Sequence, residues 1–389
     1  MTNNNSQFDT SNVCLIPTDT TYLKHQRDDK KPTVVVGLSG GVDSSVAAAL
    51  LLEQGYNVIG LFMKNWDDTD DVTGECTSAQ DYRDVVHVCG ILNIPHYTVN
   101  FTKKYMDEVF EYFLKTLKKG NTPNPDVLCN REIKFGAFYD FCFEKLDADF
   151  VATGHYAKTD GVHLLRPKDS NKDQTYFLHQ VGTEKFSKTL FPLADLDKSD
   201  VRAIAQKYGF STASKKDSTG ICFIGEKNFK EFIHQFIPQC DGDIVDTQGN
   251  KVGRHTGVHG YTIGQRRGLG IGGKKGGSGS WVVCSKDIKN NLLIAKQGDE
   301  SVLDSKSCKV EEINFIGKQF LKIGQTVNCT AKFRYRQYDT NVQVTRYDDH
   351  LQVEFETPQR AVTIGQYAVF YDGERCLGGG EIISVEMRD

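Results

Sequence analysis

Between residues 33 and 153, short apolar runs alternate with segments of helical composition, and this alternation limits the possible folds more than any other feature. The apolar runs are 33–38, 57–63, 94–99 and 149–153, and the helical segments are 43–54, 78–92, 103–119 and 131–146. Short β-branched runs predict buried strands. Strands that alternate with helices pair in parallel, and right-handed crossovers cover both faces of their sheet. The sequence therefore predicts an α/β fold with a doubly wound parallel sheet.

The pattern changes after about residue 190, where the regular alternation of strands and helices stops. Two helical segments, 198–209 and 227–237, precede short strands separated by Gly, Asp and Asn. These strands are 244–246, 281–284, 292–295, 328–335, 342–346, 351–355 and 367–371. They predict an antiparallel β-barrel or sandwich, and the glycine-rich stretch 268–280 predicts a mobile loop. The expected domains are a leader at 1–31, an α/β domain at 32–190, a small central linker domain at 191–238 and a β-barrel domain at 239–389.

The first 31 residues are polar and lack the apolar core of a secretory signal. They include several aspartates, which fit poorly with an acid-poor transit peptide. We interpret them as a flexible tail, with a cleaved organelle-targeting segment as the alternative. Nowhere does the chain contain a run of about 18 apolar residues, so no membrane-spanning helix is expected.

Charge and cysteine usage exclude several classes of protein. The formal net charge is −4, so the chain is not a globally basic nucleic-acid binder, and any RNA contact must depend on local basic patches. Eleven cysteines are scattered along the chain without a CxxC pair. This distribution argues against a structural zinc site and against a disulfide framework. We therefore expect a reducing compartment, in which most of these thiols are inert core residues.

A turn rich in glycine and serine joins the first predicted strand to the first predicted helix, and its sequence is GLSGGVDSS at 37–45. Its glycines let the backbone turn sharply and approach a ligand closely. The start of the helix directs N–H groups and a positive dipole end at an anion, and the serines add hydroxyl donors. We predict a phosphate cradle at the carboxyl edge of the sheet. The turn is neither a Walker A loop, because no Gly-Lys-Ser/Thr follows, nor a GxGxxG fingerprint.

Two cysteines lie in unusual sequence settings. Cys129 precedes the helical segment at 131–146, and a helix N-terminus together with Arg131 and Lys134 lowers the pKa of a thiol. Cys222 lies in a small-residue loop with glycines and lysines around it, a setting that can present a thiolate. From the local sequence alone, a reactive thiol and a buried structural cysteine remain equally open at both positions.

Several segments, in order from about residue 33 to about residue 385, together resemble the tRNA-specific 2-thiouridylase family. They are GLSGGVDSS, LFMKNWDD, NTPNPDVLCNREIKFGAF, ATGHYAK, DSNKDQTYFL, KKDSTGICFIGEKNF, TIGQRRGLGIGG, FRYRQ and AVFYDGERCLGGG. The first is similar to the PP-loop motif of ATP pyrophosphatases, which cleave ATP between the α and β phosphates. The motifs around Cys129 and Cys222 are the most specific. One departure is Ile364, since many members have proline before the Gly-Gln pair that follows.

The resemblance implies a fold and a set of site residues. The implied fold is a PP-loop, Rossmann-like ATP-binding domain, a small central domain and a C-terminal β-barrel. The implied ATP contacts are Gly37, Leu38, Ser39, Gly40, Gly41, Val42, Asp43, Ser44, Met63 and Gly154. The implied contacts to the target base are Asn124, Pro125 and Asp126. The implied tRNA contacts are His155, Lys172, Asp173, Gln174, Tyr335, Arg336 and Gln366.

The resemblance also implies ATP and Mg²⁺ as cofactors, with no dedicated metal ligands. Adenylation of the 2-carbonyl oxygen of uracil converts a poor leaving group into AMP, and fixed loop amides stabilise the leaving pyrophosphate. By the same resemblance, Cys222 would carry the persulfide, and Cys129 would be the nucleophile that attacks its sulfur–sulfur bond. The persulfide attacks the activated carbon directly, or freed sulfide does, and both routes leave a Cys129–Cys222 disulfide for a reductant. Asp126 either handles a proton or caps the turn before Cys129.

The reacting atom lies on the pairing edge of uracil, so we expect a flipped anticodon wobble base in a pocket between domains. The family implies tRNAs for Lys, Glu and Gln as substrates, and a cysteine desulfurase or a sulfur relay as the donor. The candidate backbone contacts are Lys115, Lys118, Lys119, Arg131, Lys134, Arg266, Arg267, Lys274, Lys275, Arg334 and Arg336.

Three alternatives remain open at this point. Another PP-loop ligase would need no reactive cysteine pair. A cluster-dependent thiolation enzyme typically supplies CxxC ligands, which this chain lacks. A non-catalytic RNA-binding protein would release no pyrophosphate in the presence of tRNA. We expect a monomer in the bacterial cytoplasm, and the leader leaves the mitochondrial matrix as the alternative location.

Overall fold

The computed structural model describes residues 30–66, 78–217, 229–272, 279–318 and 320–388. Its strands are β1 Thr33–Leu38, β2 Asn57–Lys64, β3 His96–Asn100, β4 Phe150–Ala152, β5 Lys158–Thr159, β6 Leu164–Leu165, β7 Thr189–Leu190, β8 Gly242–Val245, β9 Lys251–His255, β10 Trp281–Asp287, β11 Leu292–Gln297, β12 Asp304–Phe315, β13 Thr326–Lys332, β14 Thr340–Arg346, β15 Leu351–Arg360, β16 Tyr367–Asp372 and β17 Arg375–Met387.

The α-helices are α1 Val42–Glu53, α2 Ser78–Leu92, α3 Thr102–Tyr105, α4 Glu111–Lys118, α5 Pro125–Leu128, α6 Phe138–Lys145, α7 Thr175–Leu178, α8 Thr183–Phe186, α9 Lys198–Lys207 and α10 Phe229–His234. Two π-helical segments, Met106–Phe110 and Cys129–Ala137, join α3 to α4 and α5 to α6. Short 3₁₀ turns lie at Ser211–Ser214, Val258–Gly260 and Ser301–Leu303.

The predicted parallel sheet is confirmed, with five strands in the order β3-β2-β1-β4-β7. Alternate residues of β1 enter different cores, because side chains of a strand point to opposite faces. Val34 and Val36 pack with α1, and Val35 packs with the helices on the other face. The strand order reverses between β1 and β4, so a crevice opens at their carboxyl ends, where α/β sheets bind ligands.

The helical run around Cys129 differs from the prediction. The sequence placed Cys129 on or near a loop just before a helix over 131–146, whereas α5 begins at Pro125 and the helical run continues to Lys145. Proline suits the first turn of a helix, because its missing N–H would have no partner there. Cys129 therefore lies in the second turn, with its backbone N–H bonded to the carbonyl oxygen of Asp126.

The predicted C-terminal barrel is confirmed over β12 to β17. Six antiparallel strands run in the order β12-β15-β14-β13-β16-β17, and pairing of β12 with β17 closes the barrel. Strands β8 to β11, which the sequence placed in the same barrel segment, form a separate four-stranded sheet in the order β10-β11-β8-β9. Hairpin β5–β6 extends the barrel sheet through β17. The predicted domain limits at residues 31, 190 and 238 stay predictions.

Lys286 of β10 gives a test of stability against pH. Its Nζ donates to the carbonyl oxygen of Tyr261 at 2.8 Å, and burial lowers its pKa to about 8. Below pH 8 this lysine is charged in both the folded and the unfolded state, and the burial of its charge then lowers the free energy of unfolding. The free energy of unfolding should therefore rise between pH 8 and the ordinary lysine pKa of about 10.4.

We expect Lys286→Met to raise the free energy of unfolding by about 2 kcal/mol at pH 7, and this gain should fade above a pH of about 10. Urea unfolding at several pH values measures it. The exposed Lys289 in the following turn provides the matched control, because Lys289→Met should change little. An equal gain from Lys286→Met at pH 7 and pH 10.5 would contradict the burial argument.

Candidate active site

The phosphate loop predicted at 37–45 connects β1 to α1 and is held by its own serines. The backbone N–H of Ser39 donates to Ser44 Oγ at 3.2 Å, and the Oγ atoms of Ser39 and Ser44 lie 3.3 Å apart. Ser45 Oγ donates to the carbonyl oxygen of Gly41 at 2.9 Å. Gly41, the N-cap residue, has no side chain to bond the first turn of α1. The N–H groups of that turn therefore remain available to an anion.

Glycine is required at two places where the loop meets its surroundings. Gly40 has φ +73°, and a Cβ there would lie 2.5 Å from the carbonyl oxygen of Asp81. Gly154 follows β4, and a Cβ there would lie 2.6 Å from the backbone nitrogen of Ser44. The crevice between β1 and β4 thus brings Gly154 against the loop. Met63 also reaches the loop, since its Cε lies 3.3 Å from the position of a Cβ on Gly37.

Asp43, at the start of α1, carries the negative charge of the loop and has two partners that the sequence reasoning missed. Lys198 Nζ donates to both of its carboxylate oxygens, at 2.7 and 2.8 Å, and the Tyr156 hydroxyl donates to Oδ1 at 2.9 Å. Burial, followed by the charge of Asp43, raises the pKa of Tyr156 far above its ordinary value. Tyr156 was visible in the ATGHYAK motif, whereas no local pattern singled out Lys198.

A second carboxylate, Asp217, gathers three cations beside the loop. It accepts from Lys172 at 2.6 Å, from Lys198 at 2.8 Å and from Arg202 at 2.9 Å. Burial opposes its ionisation, but the bonds from Lys172 and Lys198 outweigh that effect and hold its pKa at about 2. Lys172, predicted to contact tRNA, is therefore engaged in this network.

Lys215 also holds the loop, at Gly40. Its Nζ donates to the carbonyl oxygen of Gly40 at 3.0 Å and to Asp81 and Asp84 at 2.7 Å each. These three acceptors match the three donors of an ammonium group. Lys215 thereby ties the tight turn at Gly40 to helix α2.

Cys129 and Asp126 lie on the helical run from Pro125 to Lys145. Cys129 is 2% exposed and packs in the core that also contains Phe138. Phe138 reaches the phosphate loop, because its ring carbon lies 3.3 Å from the position of a Cβ on Gly37. Burial raises the pKa of Asp126, and the charge of Lys134 partly opposes that rise.

Lys134 links this helical run to the residue after Gly154. Its Nζ lies 3.4 Å from His155 Nε2, and His155 Nδ1 lies 2.8 Å from Thr153 Oγ1. An ammonium group has donors only, so Nε2 accepts and Nδ1 carries the proton that it donates to Thr153. Burial, followed by the charge of Lys134, holds the pKa of His155 well below its ordinary range. His155 is therefore neutral at physiological pH.

Gln366, at the start of the barrel strand β16, holds the turn that precedes Cys129. Its Nε2 donates to the carbonyl oxygens of Thr122 at 2.9 Å and Pro123 at 3.3 Å, and its Oε1 accepts from Asn124 at 3.5 Å. Gly365 has φ +89°, and a Cβ there would lie 3.0 Å from the carbonyl oxygen of Thr122. Through Gln366, the barrel thus fixes the turn that contains Asn124 and Pro125.

The other residues predicted to contact tRNA have internal contacts. Asp173 is buried and accepts from Arg166 at 2.9 Å, and Gln174 Oε1 accepts from the backbone N–H of Tyr156 at 2.8 Å. Tyr335 packs on Phe177 with ring centroids 4.4 Å apart, while Arg336 is exposed. Their tRNA contacts stay predictions.

Two predicted candidates for RNA backbone contacts are engaged within the protein. Arg334 is half-buried and donates to Ala361 and Ile263 carbonyl oxygens. Arg131, predicted to lower the pKa of the Cys129 thiol, pairs with Glu132 at 2.6 Å and with Glu312 of the barrel at 3.7 Å. These bonds connect Arg334 to the loop at Ile263 and to Ala361, and Arg131 to the barrel strand β12.

Cys222, Lys274 and Lys275 lie outside the described residues, so their predicted roles stay predictions. Within the ranges that the structure describes, no group of three His, Cys, Asp or Glu side chains could hold a metal ion. In the same ranges, no helix combines the length and apolar character needed to cross a membrane.

Three family models match successive parts of the chain. They are the tRNA methyl transferase HUP domain at 32–226, the tRNA methyl transferase PRC-barrel domain at 230–296 and the aminomethyltransferase beta-barrel domain at 305–382. These limits follow the parallel sheet, the four-stranded sheet and the closed barrel. The three models together cover most of the chain.

Curated relatives are similar along nearly their whole length. The tRNA-specific 2-thiouridylase MnmA of Streptococcus sanguinis is 56% identical over 91% of this chain and 96% of that protein. The protein of the same name from Staphylococcus aureus strain JH9 is 54% identical over 92% of this chain and 96% of that protein. A solved 4-thiouridine synthetase–RNA complex with bound ATP is only 16% identical to this chain. It covers 53% of this chain and 50% of that chain, and its TM-score of 0.32 is too low to indicate a shared function. Because more than half of its residues match relatives of one name from end to end, the chain belongs to the tRNA-specific 2-thiouridylase family.

Proposed function

We propose that this protein uses ATP to replace the 2-carbonyl oxygen of the wobble uridine of tRNA with sulfur, releasing AMP and pyrophosphate. The observation that carries the proposal is a pair of contacts at adjacent residues. Gly154 touches the phosphate loop at Ser44, and His155 touches Lys134 on the helical run that carries Cys129. The phosphate loop and the helical run that carries Cys129 are thus joined through the adjacent residues Gly154 and His155, which supports a nucleotide and a thiol acting at one site.

Adenylation is the first step that this geometry supports. The phosphates lie on the loop and the start of α1, where backbone N–H groups and the helix dipole stabilise negative charge. The uracil O2 attacks the α-phosphorus, and pyrophosphate departs toward the loop. Met63 and Gly154 are proposed to line the adenosine, since both touch the loop from the sheet side.

Sulfur transfer is the second step. A persulfide on Cys222 supplies the terminal sulfur, and attack at C2 of the adenylated uracil expels AMP. Cys129 attacks the sulfur–sulfur bond, which leaves a Cys129–Cys222 disulfide and requires a reductant for the next turnover. A cysteine desulfurase or a sulfur-relay protein is the proposed donor.

Asp126 and Asn124 are proposed to orient the target base. Because burial raises the pKa of Asp126, its carboxyl group is biased toward the neutral form, which can both donate and accept a hydrogen bond. Asn124 offers an amide from the turn that Gln366 braces. A carboxyl group and an amide side by side match the alternating donors and acceptors on the pairing edge of uracil.

ATP is the nucleotide that the HUP-domain family supports, and Mg²⁺ is our proposal. Mg²⁺ commonly binds through one or two carboxylates plus substrate phosphates, so it needs no all-protein cage. Asp43, the carboxylate at the loop, bonds Lys198 through both of its oxygens, so we propose that the ATP phosphates themselves would hold the ion. When bound, the ion would neutralise charge on the triphosphate.

The substrate and cellular setting follow from the family. We propose the Lys, Glu and Gln tRNAs as substrates, a monomeric enzyme, and the cytoplasm as its location, since the relatives named above are bacterial.

Digestion of the tRNA after reaction tests the proposed function. Purified protein, ATP, Mg²⁺, unmodified tRNA and a persulfide donor should give 2-thiouridine in the nucleoside mass spectrum, and a transcript with cytidine at the wobble position should give none. Release of AMP and pyrophosphate without formation of 2-thiouridine would instead indicate an adenylating ligase of another kind.

Gln366→Ala tests whether the barrel positions the turn before Cys129. We expect turnover to fall about tenfold, because the base-binding turn loses three hydrogen bonds, while tRNA affinity changes less than threefold. Single-turnover kinetics and filter binding separate the two effects. Gln343→Ala, on the exposed face of β14, is the matched control. A loss confined to tRNA affinity would instead support a direct contact between Gln366 and tRNA.

A further inference from the structure

The charged network beside the phosphate loop centres on Lys198. Lys198 lies at the first position of α9, its Nζ bonds both oxygens of Asp43 and Oδ1 of Asp217, and its backbone N–H donates to Asp169 at 3.0 Å. Lys172 and Arg202 bond the same Asp217. Three cations and three carboxylates therefore meet here, and two of the cations hold Asp217 independently of Lys198.

Lys198 is the cation of this network that lies nearest to the phosphate-binding end of α1. Asp43 is the second residue of that helix, so a group bonded to both of its oxygens sits beside the N–H groups of the first turn. Its side chain is 14% exposed, and that of Asp43 is 32% exposed. The pair is thus partly open to a ligand.

The partners of Lys215 differ from those of Lys198, and the difference separates a lysine that supports the loop from one that binds phosphate. Lys215 faces two carboxylates, Asp81 and Asp84, and a backbone carbonyl. Two carboxylates therefore surround this one ammonium group, and neither has another described cation to hold it. Lys198 competes with Lys172 and Arg202 for Asp217, so the loss of one bond leaves that carboxylate still paired.

We propose that Lys198 binds the β- and γ-phosphates of ATP and then the leaving pyrophosphate, exchanging its bond with Asp217 for a phosphate oxygen while Asp43 keeps it at the loop. This inference rests on the proposed function, because it names the residue that receives the leaving group. The four-carbon stem of lysine allows the short movement, and Lys172 and Arg202 keep Asp217 ionised and paired.

Comparison of ATP with AMP tests the proposal, since AMP lacks the phosphates that Lys198 would contact. In equilibrium binding, Lys198→Met should weaken ATP at least tenfold and AMP less than twofold. Lys198→Arg should keep ATP within about threefold of wild type. Lys207→Met, at the exposed end of the same helix, is the matched control and should change neither affinity. Equal weakening of ATP and AMP would mean that Lys198 only supports the loop, and would overturn the proposal.

Lysine footprinting of the wild-type protein provides a measurement that does not depend on how the variant folds. Inorganic pyrophosphate should slow acetylation of Lys198 at least threefold and leave Lys207 unchanged. Unchanged labelling of Lys198 at saturating pyrophosphate would overturn the proposal. Both measurements are independent of thiolation, so failure of the proposed function would appear separately as absence of 2-thiouridine.

Discussion

Cys129→Ala should lower the rate of 2-thiouridine formation by about a thousandfold or more, while pyrophosphate release with tRNA stays within about threefold of wild type. The reason is that the thiol acts only after adenylation, when the sulfur–sulfur bond is cleaved. Cys129 lies on the helical run, and the phosphates would lie on the loop that connects β1 to α1. Mass spectrometry of nucleosides and a coupled pyrophosphate assay measure the two steps in the same reaction.

Cys142→Ala is the matched control for this experiment. Cys142 is a fully buried cysteine of α6 on the same helical run, and burial raises the pKa of its thiol well above the ordinary value. It is therefore an inert core residue, and its replacement should affect stability more than thiolation. If Cys129→Ala still made 2-thiouridine from a persulfide donor at the wild-type rate, the assigned role of Cys129 would be wrong.

Gly154→Ala should weaken ATP binding by about tenfold to a hundredfold. The new Cβ would lie 2.6 Å from the backbone nitrogen of Ser44 and 2.8 Å from the carbonyl carbon of Asp43. Both are backbone atoms at the start of α1, so no side-chain rotation relieves the overlap and the loop must move. Equilibrium binding of ATP gives the affinity, and thermal unfolding without nucleotide gives the cost to the fold.

Gly90→Ala provides the corresponding control within the same α/β unit. A Cβ at Gly90 meets nothing within 4 Å, and the residue lies on the exposed side of helix α2. Alanine should stabilise this helix by about 0.5 to 1 kcal/mol and leave ATP affinity unchanged. ATP binding by Gly154→Ala that matched wild type would show that the loop does not hold the nucleotide.

The sequence predicted the α/β part of the fold because its signals are local. The strand at 33–38, the turn at 37–45 and the following helix each follow from neighbouring residues. Gly154 was implied as an ATP contact only by the family resemblance, because its approach to the loop depends on the pairing of β1 with β4. What the sequence did not predict was the helix start at Pro125, because the Asn-Thr-Pro-Asn-Pro run favoured a longer loop.

Two barrel strands and the charged network were missed because their causes are not local. Strand β12 is half polar, and β17 contains three successive glycines, so neither has a strand-like apolar pattern. Those glycines are needed for barrel closure: a Cβ at Gly378 would lie 2.0 Å from the carbonyl oxygen of Asn314 on β12. Similarly, Lys198 and Asp43 are separated by 155 positions in the chain and meet only when α9 packs against α1.

The most direct test of the central claim follows the oxygen that leaves uracil. An anticodon stem-loop with ¹⁸O at the 2-carbonyl of the wobble uridine would be incubated with the protein, ATP, Mg²⁺ and a persulfide donor. Adenylation of that oxygen predicts one ¹⁸O in each AMP that accompanies a 2-thiouridine. Formation of 2-thiouridine with unlabelled AMP would contradict adenylation of the base and, with it, the role assigned to the phosphate loop.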